Sequence, residues 1–331
     1  MHSVHTASFP EILAALNASV IVSTYQAGKL ILLRNEQGTL NTHFRNFQQP
    51  MGVALQGGRL AVGTQQEIWE FRNTPAVAKR FPGEPCPTDA CFLPRSCRVT
   101  GDIQIHEMDY GRDLELWFVN TRFSCLCTWD EEYNFVPRWR PGFVSQYTPE
   151  DRCHLNGFGM VEGRPKYVTA LGESDQPAGW RQNKATGGIV MDVESGEVIL
   201  RGLSMPHSPR FHRGRLWVLN SGDGGFGFVD LEKGRYEPLL DLPGFTRGLT
   251  FLDRYAFIGL SQVRESAVFS GIRIAQLPES ERWSGVAVVD IETGEVAGFL
   301  KFQQDVHEVF AVCVLPDEAL AEVPPEFRTP T

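Results

Sequence analysis

GGIVMDVESGEVIL, residues 187–200, decides the fold, because its pattern returns as FGFVDLEKGRYEPLL at 226–240 and GVAVVDIETGEVAGFL at 285–300. Each copy is an apolar run, an Asp, three residues, then Gly with a charged neighbour. Alternating strands around an Asp-rich turn, with Gly where φ must be positive, predict a β-hairpin. The turn aspartates are Asp192, Asp230 and Asp290, and a further short strand opens 15 to 17 residues after each, at His207, Arg247 and His307.

These opening strands share a frame of their own. PMGVALQGGRLAVG (50–63), PHSPRFHRGRLWVLN (206–220) and TRGLTFLDRYAFIGL (246–260) superimpose with Met51, His207 and Arg247 in one column. IHEMDYGRDLELWFVN (105–120), LNGFGMVEGRPKYVTA (155–170) and VHEVFAVCVLP (306–316) add His106, Asn156 and His307, so column residues recur every 40 to 60 positions. Six units of roughly fifty residues and four strands each predict an all-β, six-bladed β-propeller. The chain ends too soon after the sixth opening strand to complete a blade. SVIVSTYQ, GKLILLR and GTLNTHF near the N-terminus supply the missing strands. Ring closure of this kind removes free sheet edges. The expected organisation is one domain over 1–331, with an N-terminal extension at 1–19 and a C-terminal tail at 316–331. Helical signal is confined to Pro10–Asn17 and Pro316–Val323.

Composition narrows the function classes. With 31 basic against 40 acidic residues and a net charge of −9, nucleic acid and anionic membrane are excluded as main partners. No apolar run reaches the roughly 18 residues of a membrane span, and no basic region precedes an apolar stretch at the N-terminus. A cytoplasmic protein is the expectation. Seven cysteines, an odd number without paired CxxC spacing, agree with a reduced compartment. Cys86, Cys91 and Cys97 share the Pro-rich segment FPGEPCPTDACFLPRSC, which reads as a surface loop with free thiols, with metal binding as the alternative.

The column carries the chemistry. In a propeller the innermost strands run along the central channel, so equivalent residues converge on one axis. His106, His207 and His307 fall on blades two, four and six, about 120° apart. Neutral imidazoles suit a divalent transition metal, Fe(II) first, then Zn, Cu or Mn, and a three-His face leaves positions open for oxygen or substrate. His154, two residues before Asn156, reads as a fourth ligand or a substrate-facing base. Glu107 and Glu308 directly follow two proposed ligands; each reads as an orienting partner for a neighbouring imidazole or as half of a buried ion pair with Arg. The loops at the same mouth are polar. Arg210, Arg247, Asn156, Arg122, Asn220, Arg264, Trp180 and Tyr25 are the candidate substrate-binding residues, with Arg suited to grip a carboxylate or phosphate through two bonds. No dinucleotide fingerprint or serine-hydrolase elbow is present.

STYQAGKL, VNTRFSCL, DRCHLNG, MPHSPR and PGFTRGL, in order over about residues 20 to 315, resemble a bacterial conserved-hypothetical propeller family, a domain of unknown function. The resemblance implies one domain and a site built from these motifs; the stretch from Cys86 to Cys97 departs from it. Three classes of function follow. The first is a non-haem iron oxygenase or hydroxylase acting on an anionic small molecule or peptide, similar in principle to carotenoid-cleaving propellers with axial histidines. The second is a metal-dependent hydrolase or lyase, resembling six-bladed lactonases in architecture. The third is a non-catalytic propeller that binds a ligand or peptide at its mouth.

Overall fold

The computed structural model describes residues 2–80, 88–263, 269–316 and 321–322. Six antiparallel sheets of four principal strands form the ring. From the axis outward, blade one is Val53–Gln56, Arg59–Gly63, Glu67–Asn73 and Ala90–Val99; blade two is Ile105–Tyr110, Leu116–Asn120, Cys125–Thr128 and Val136–Trp139. Blade three is Leu155–Val161, Arg164–Ala170, Gly188–Asp192 and Val198–Leu203; blade four is Pro206–His212, Arg215–Asn220, Gly225–Asp230 and Arg235–Asp241. Blade five is Phe245–Leu252, Tyr255–Ser261, Ser284–Asp290 and Glu295–Phe302.

Blade six closes the ring. Its innermost strand, Ala311–Pro316, comes from the C-terminal end, and Ala18–Thr24, Lys29–Glu36 and Thr39–Asn46 complete it, with Ser23 opposite Ala311 and Ala18 opposite Pro316. The first nineteen residues do more than extend the chain. Ser3–His5 adds a fifth strand to the outer edge of blade five, and the helix Ser8–Ala15 buries Phe9 and Leu13 completely between blades five and six. Burying each of these side chains contributes about 1.5 to 3 kcal/mol.

The three hairpins form where the repeat places them, and their aspartates do the same work in each. Asp192 accepts the N–H of Ser195 at 2.8 Å, Asp230 that of Lys233 at 3.0 Å, and Asp290 that of Glu292 at 3.0 Å. Gly196 and Gly294, at φ of +73° and +76°, close the first and third turns in the left-handed region.

Two expectations need correction. Of the expected helix at Pro316–Val323, Pro316 ends the inner strand of blade six and residues 321–322 form a short strand parallel to Ala90–Val99; the remainder lies outside the described residues. Cys91 and Cys97 lie on that ten-residue strand of blade one, paired with Glu67–Asn73 through a register shift between the two cysteines, with Cys91 buried and Cys97 exposed; Cys86 lies outside the described residues. Among the described residues no helix is long and apolar enough to cross a membrane.

Candidate functional site

The inner strands share a local conformation that aims side chains at the axis. Two residues before the column position, Gln49, Gln104, His154 and Met205 all adopt left-handed backbone, with φ of +50°, +49°, +50° and +47°. Residues other than glycine seldom sit there. A register shift follows at the column residue in blades two to five, between His207 and Arg210 in blade four and between Thr246 and Leu249 in blade five. Such bulges re-aim the side chains beside them.

In blades two and four the lead-in residue turns its carbonyl onto the column imidazole. His106 Nδ1 donates to Gln104 O at 2.9 Å and His207 Nδ1 to Met205 O at 2.9 Å, with the hydroxyls of Thr121 and Ser221 at 2.9 and 3.0 Å from the same nitrogens. A carbonyl only accepts, so both Nδ1 atoms carry hydrogen and both Nε2 atoms present lone pairs. Burial, with Arg247 adding to it, holds both rings well below the ordinary histidine range, so they are neutral.

In blade three the lead-in residue is itself a histidine. His154 Nδ1 donates to the Asp151 carboxylate, 2.9 and 3.0 Å from its two oxygens, and Trp180 Nε1–H donates to Asp151 Oδ2 at 3.0 Å. The His154 ring meets that of His106 edge-on, with centroids 4.9 Å apart. All three imidazoles line one mouth cavity of about 240 Å³, which Met51, Leu171, Met205 and Phe245 wall on its apolar side.

Blades five and six bring a charge to this cavity. Arg247 stacks its guanidinium on Phe310, 3.5 Å from the ring centroid, and reaches one carboxylate, Glu308, at 3.4 Å. Burial pushes the Arg247 guanidinium down to about 10, against the opposing pull of Glu308, Glu107 and Tyr25. Burial likewise raises the Glu308 carboxyl, with Arg247 opposing. Arg247 also borders a smaller chamber beneath, of about 20 Å³, into which His106, His207, Glu107 and Arg210 project. There Arg210 bonds Glu107 across blade three, and its other N–H groups reach the carbonyls of Phe158 at 3.0 Å and Pro209 at 2.9 Å. Asp109 adds a second carboxylate near Arg210, raised by burial like Glu107.

Not every expected site residue joins the mouth. His307 stands apart, with its Nδ1 3.3 Å from Gln262 Oε1, in a neighbouring cavity with Gln26 and Ser261. The sixth inner strand starts only at Ala311, so the column position belongs to Phe310, three residues later than the aligned histidine. Its ring lies 5.1 Å from His106. The set His106, His207 and His307 is therefore not assembled, and among the described residues no three His, Cys, Asp or Glu side chains are grouped closely enough to hold a metal ion. Glu107 and Arg210 form a brace below the mouth. Asn156 donates to Pro206 O at 3.0 Å and accepts from Thr169 at 2.7 Å, which ties blade three to blade four. Asn220 accepts the Ser204 N–H at 2.7 Å and donates to Asp223 at 2.8 Å, and Arg122 pairs with Asp102 at 2.6 Å, so both tie neighbouring segments of the chain together. Arg264 lies outside the described residues. Tyr25 and Trp180 do line the cavity, and Asp151, Phe245 and Phe310 join them unanticipated. The spacing of Asp151 three residues before His154 was the one available signal.

The fold has distant likenesses among solved structures. The nidogen/laminin complex includes a chain with a TM-score of 0.58 and 9% identity, covering 91% of this chain and 99% of that one. A protein of unknown function from Bacteroides caccae superimposes with a TM-score of 0.55 and 11% identity, covering 90% of this chain and 98% of that one. At these identities the likeness is one of fold alone. A search of curated proteins finds no match. Residues 7–323, nearly the whole ring together with the N-terminal helix that seals it, match one family of sequences, and the chain belongs to that family, the domain of unknown function DUF4915.

Proposed function

We propose that this propeller is an enzyme acting on a small anionic molecule at the axial mouth, with Arg247 as the carboxylate anchor and His154 as the general base. The observation that carries this reading is Arg247 itself: a buried guanidinium held by one ring face and one carboxylate at 3.4 Å, bordering a cavity. His154 suits the base, since Asp151 engages its Nδ1–H and leaves Nε2 to accept a proton from substrate or water. Trp180 fixes Asp151 in turn. The chemistry is that of a hydrolase or lyase, in which a positioned base starts the reaction.

The test is a binding and turnover series on small carboxylates. Arg247→Lys and Arg247→Met should each weaken binding by roughly 1.5 to 3 kcal/mol, the range for hydrogen bonds to charged groups; a lysine keeps the charge but loses the planar fork. His154→Asn should abolish turnover while retaining binding. Equal affinity in wild type and both Arg247 variants overturns the reading.

A second reading keeps a transition metal, iron first, and oxidative chemistry. It is favoured by three Nε2 lone pairs facing one cavity with every Nδ1–H engaged, the hydrogen bonding that metal-bound imidazoles have. It needs His154 in place of His307 and a closer approach of the rings. Stoichiometric metal in protein purified without chelator, lost in His106→Ala, selects this reading over the first.

A further inference from the structure

Apart from the exposed Arg181, which stacks on the Trp180 ring, the cavity is lined by two charges of opposite sign that lack a close partner. Arg247 and Glu308 both line the cavity and touch only at 3.4 Å, longer than the roughly 2.7 to 2.9 Å of a close charge-assisted bond. The Glu308 side chain is 17% exposed, and among the described residues it has no other hydrogen-bond partner. The remaining carboxylate at the mouth, Asp151, is taken up by His154 and Trp180, and His106 and His207 hold no charge.

We propose that the molecule bound here is a zwitterion of the α-amino-acid type, its carboxylate on Arg247 and its ammonium on Glu308. This rests on the reading of Arg247 as a carboxylate anchor and narrows it. A plain anion would satisfy Arg247 but bring a second negative charge against the mostly covered Glu308, where water screens like charges less than in the open. A zwitterion adds no net charge and satisfies both groups. An α-amino acid carries its two charges on one carbon, close enough together to bridge two side chains that nearly touch. The apolar wall of Met51, Leu171, Met205 and Phe245 then receives the amino acid's side chain, which selects an apolar one.

Matched probes test this on the full chain by isothermal titration calorimetry at neutral pH: leucine, isocaproate and isoamylamine, then phenylalanine, hydrocinnamate and phenethylamine. In at least one set the amino acid should bind at least about tenfold tighter than either single-charge analogue. Glu308→Gln should erase its advantage over the carboxylate, while Glu308→Asp, which keeps the charge, should retain part of it and guards against a misfolded Gln variant. Carboxylates that match their amino acids in affinity for wild type, and weaken in Arg247→Met, overturn the zwitterion and leave the anionic reading standing. Failure of all six probes to saturate at millimolar concentration, or binding of the amines alone with Arg247→Met unaffected, overturns both.

Discussion

Two Arg–Glu pairs lie a few residues apart along the axis, and they differ in how completely each is satisfied. In the lower pair Arg210 is closed on Glu107 and on two backbone carbonyls. In the upper pair Arg247 touches Glu308 only loosely and spends its flat face on Phe310. Each pair joins a Glu to an Arg on an inner strand, but Glu107 directly follows the axial His106 whereas Glu308 lies two residues before Phe310. What separates them is the neighbouring backbone: blade three places the Phe158 carbonyl against Arg210, whereas blade six places an aromatic ring and a cavity beside Arg247. The saturated pair braces blades; the unsaturated one beside a cavity is the pair on which the proposed ligand binding rests.

The largest effect tests the frame that both pairs share. Removing residues 1–45 deletes most of blade six apart from Ala311–Pro316, together with the helix Ser8–Ala15. The opened ring should lose cooperative unfolding in urea; a truncated chain with unchanged melting would show that closure is dispensable. Next comes the lower pair. Glu107→Ala leaves Arg210 without its bonded carboxylate, with only Asp109 nearby and two carbonyls in contact; breaking a buried pair typically costs about 3 to 5 kcal/mol, read as a shift in denaturation midpoint at constant slope.

The imidazoles above the lower pair supply a pH dependence. His106 and His207 are depressed well below their ordinary value by burial, so the unfolded chain binds their protons below about pH 6.5 while the folded chain does not. Their contribution to stability is present above that pH and declines as pH falls, with a slope approaching about 1.4 kcal/mol per pH unit for each ring. Replacing His207 by Phe should reduce the slope, and an unchanged slope would locate the proton uptake elsewhere. The smallest stability effect belongs to the upper pair. Arg247→Met should alter unfolding free energy by less than about 1 kcal/mol, because Glu308 can take a proton once its partner is gone. A loss comparable to that of Glu107→Ala would make the two pairs equivalent and remove the distinction drawn between them.

Much of this was legible in the sequence. The hairpin repeat and the column frame lead directly to the ring, and five of the six column residues line the axis as aligned. His307 misled because the frame was carried across residues 303–310, which form no strand; with no pleat to count, a slip of three positions left no trace in the apolar pattern. The locks on His106 and His207 were not legible, since they come from the backbone carbonyls of Gln104 and Met205, and any residue type has a carbonyl. His154 was found by its proximity to Asn156, but its entry into the cavity depends on left-handed backbone that neither its residue type nor its neighbours signal.

The strands of blade six also set an order of events in synthesis. Ala18–Thr24, Lys29–Glu36 and Thr39–Asn46 leave the ribosome ahead of the other five blades, whereas their inner partner Ala311–Pro316 follows all of them. At roughly 5 to 20 residues per second the early strands wait tens of seconds with one edge unpaired. Blade six therefore stays unclosed until Ala311–Pro316 arrives, and a pause in translation just before that strand should lower yield more than one placed within any complete blade.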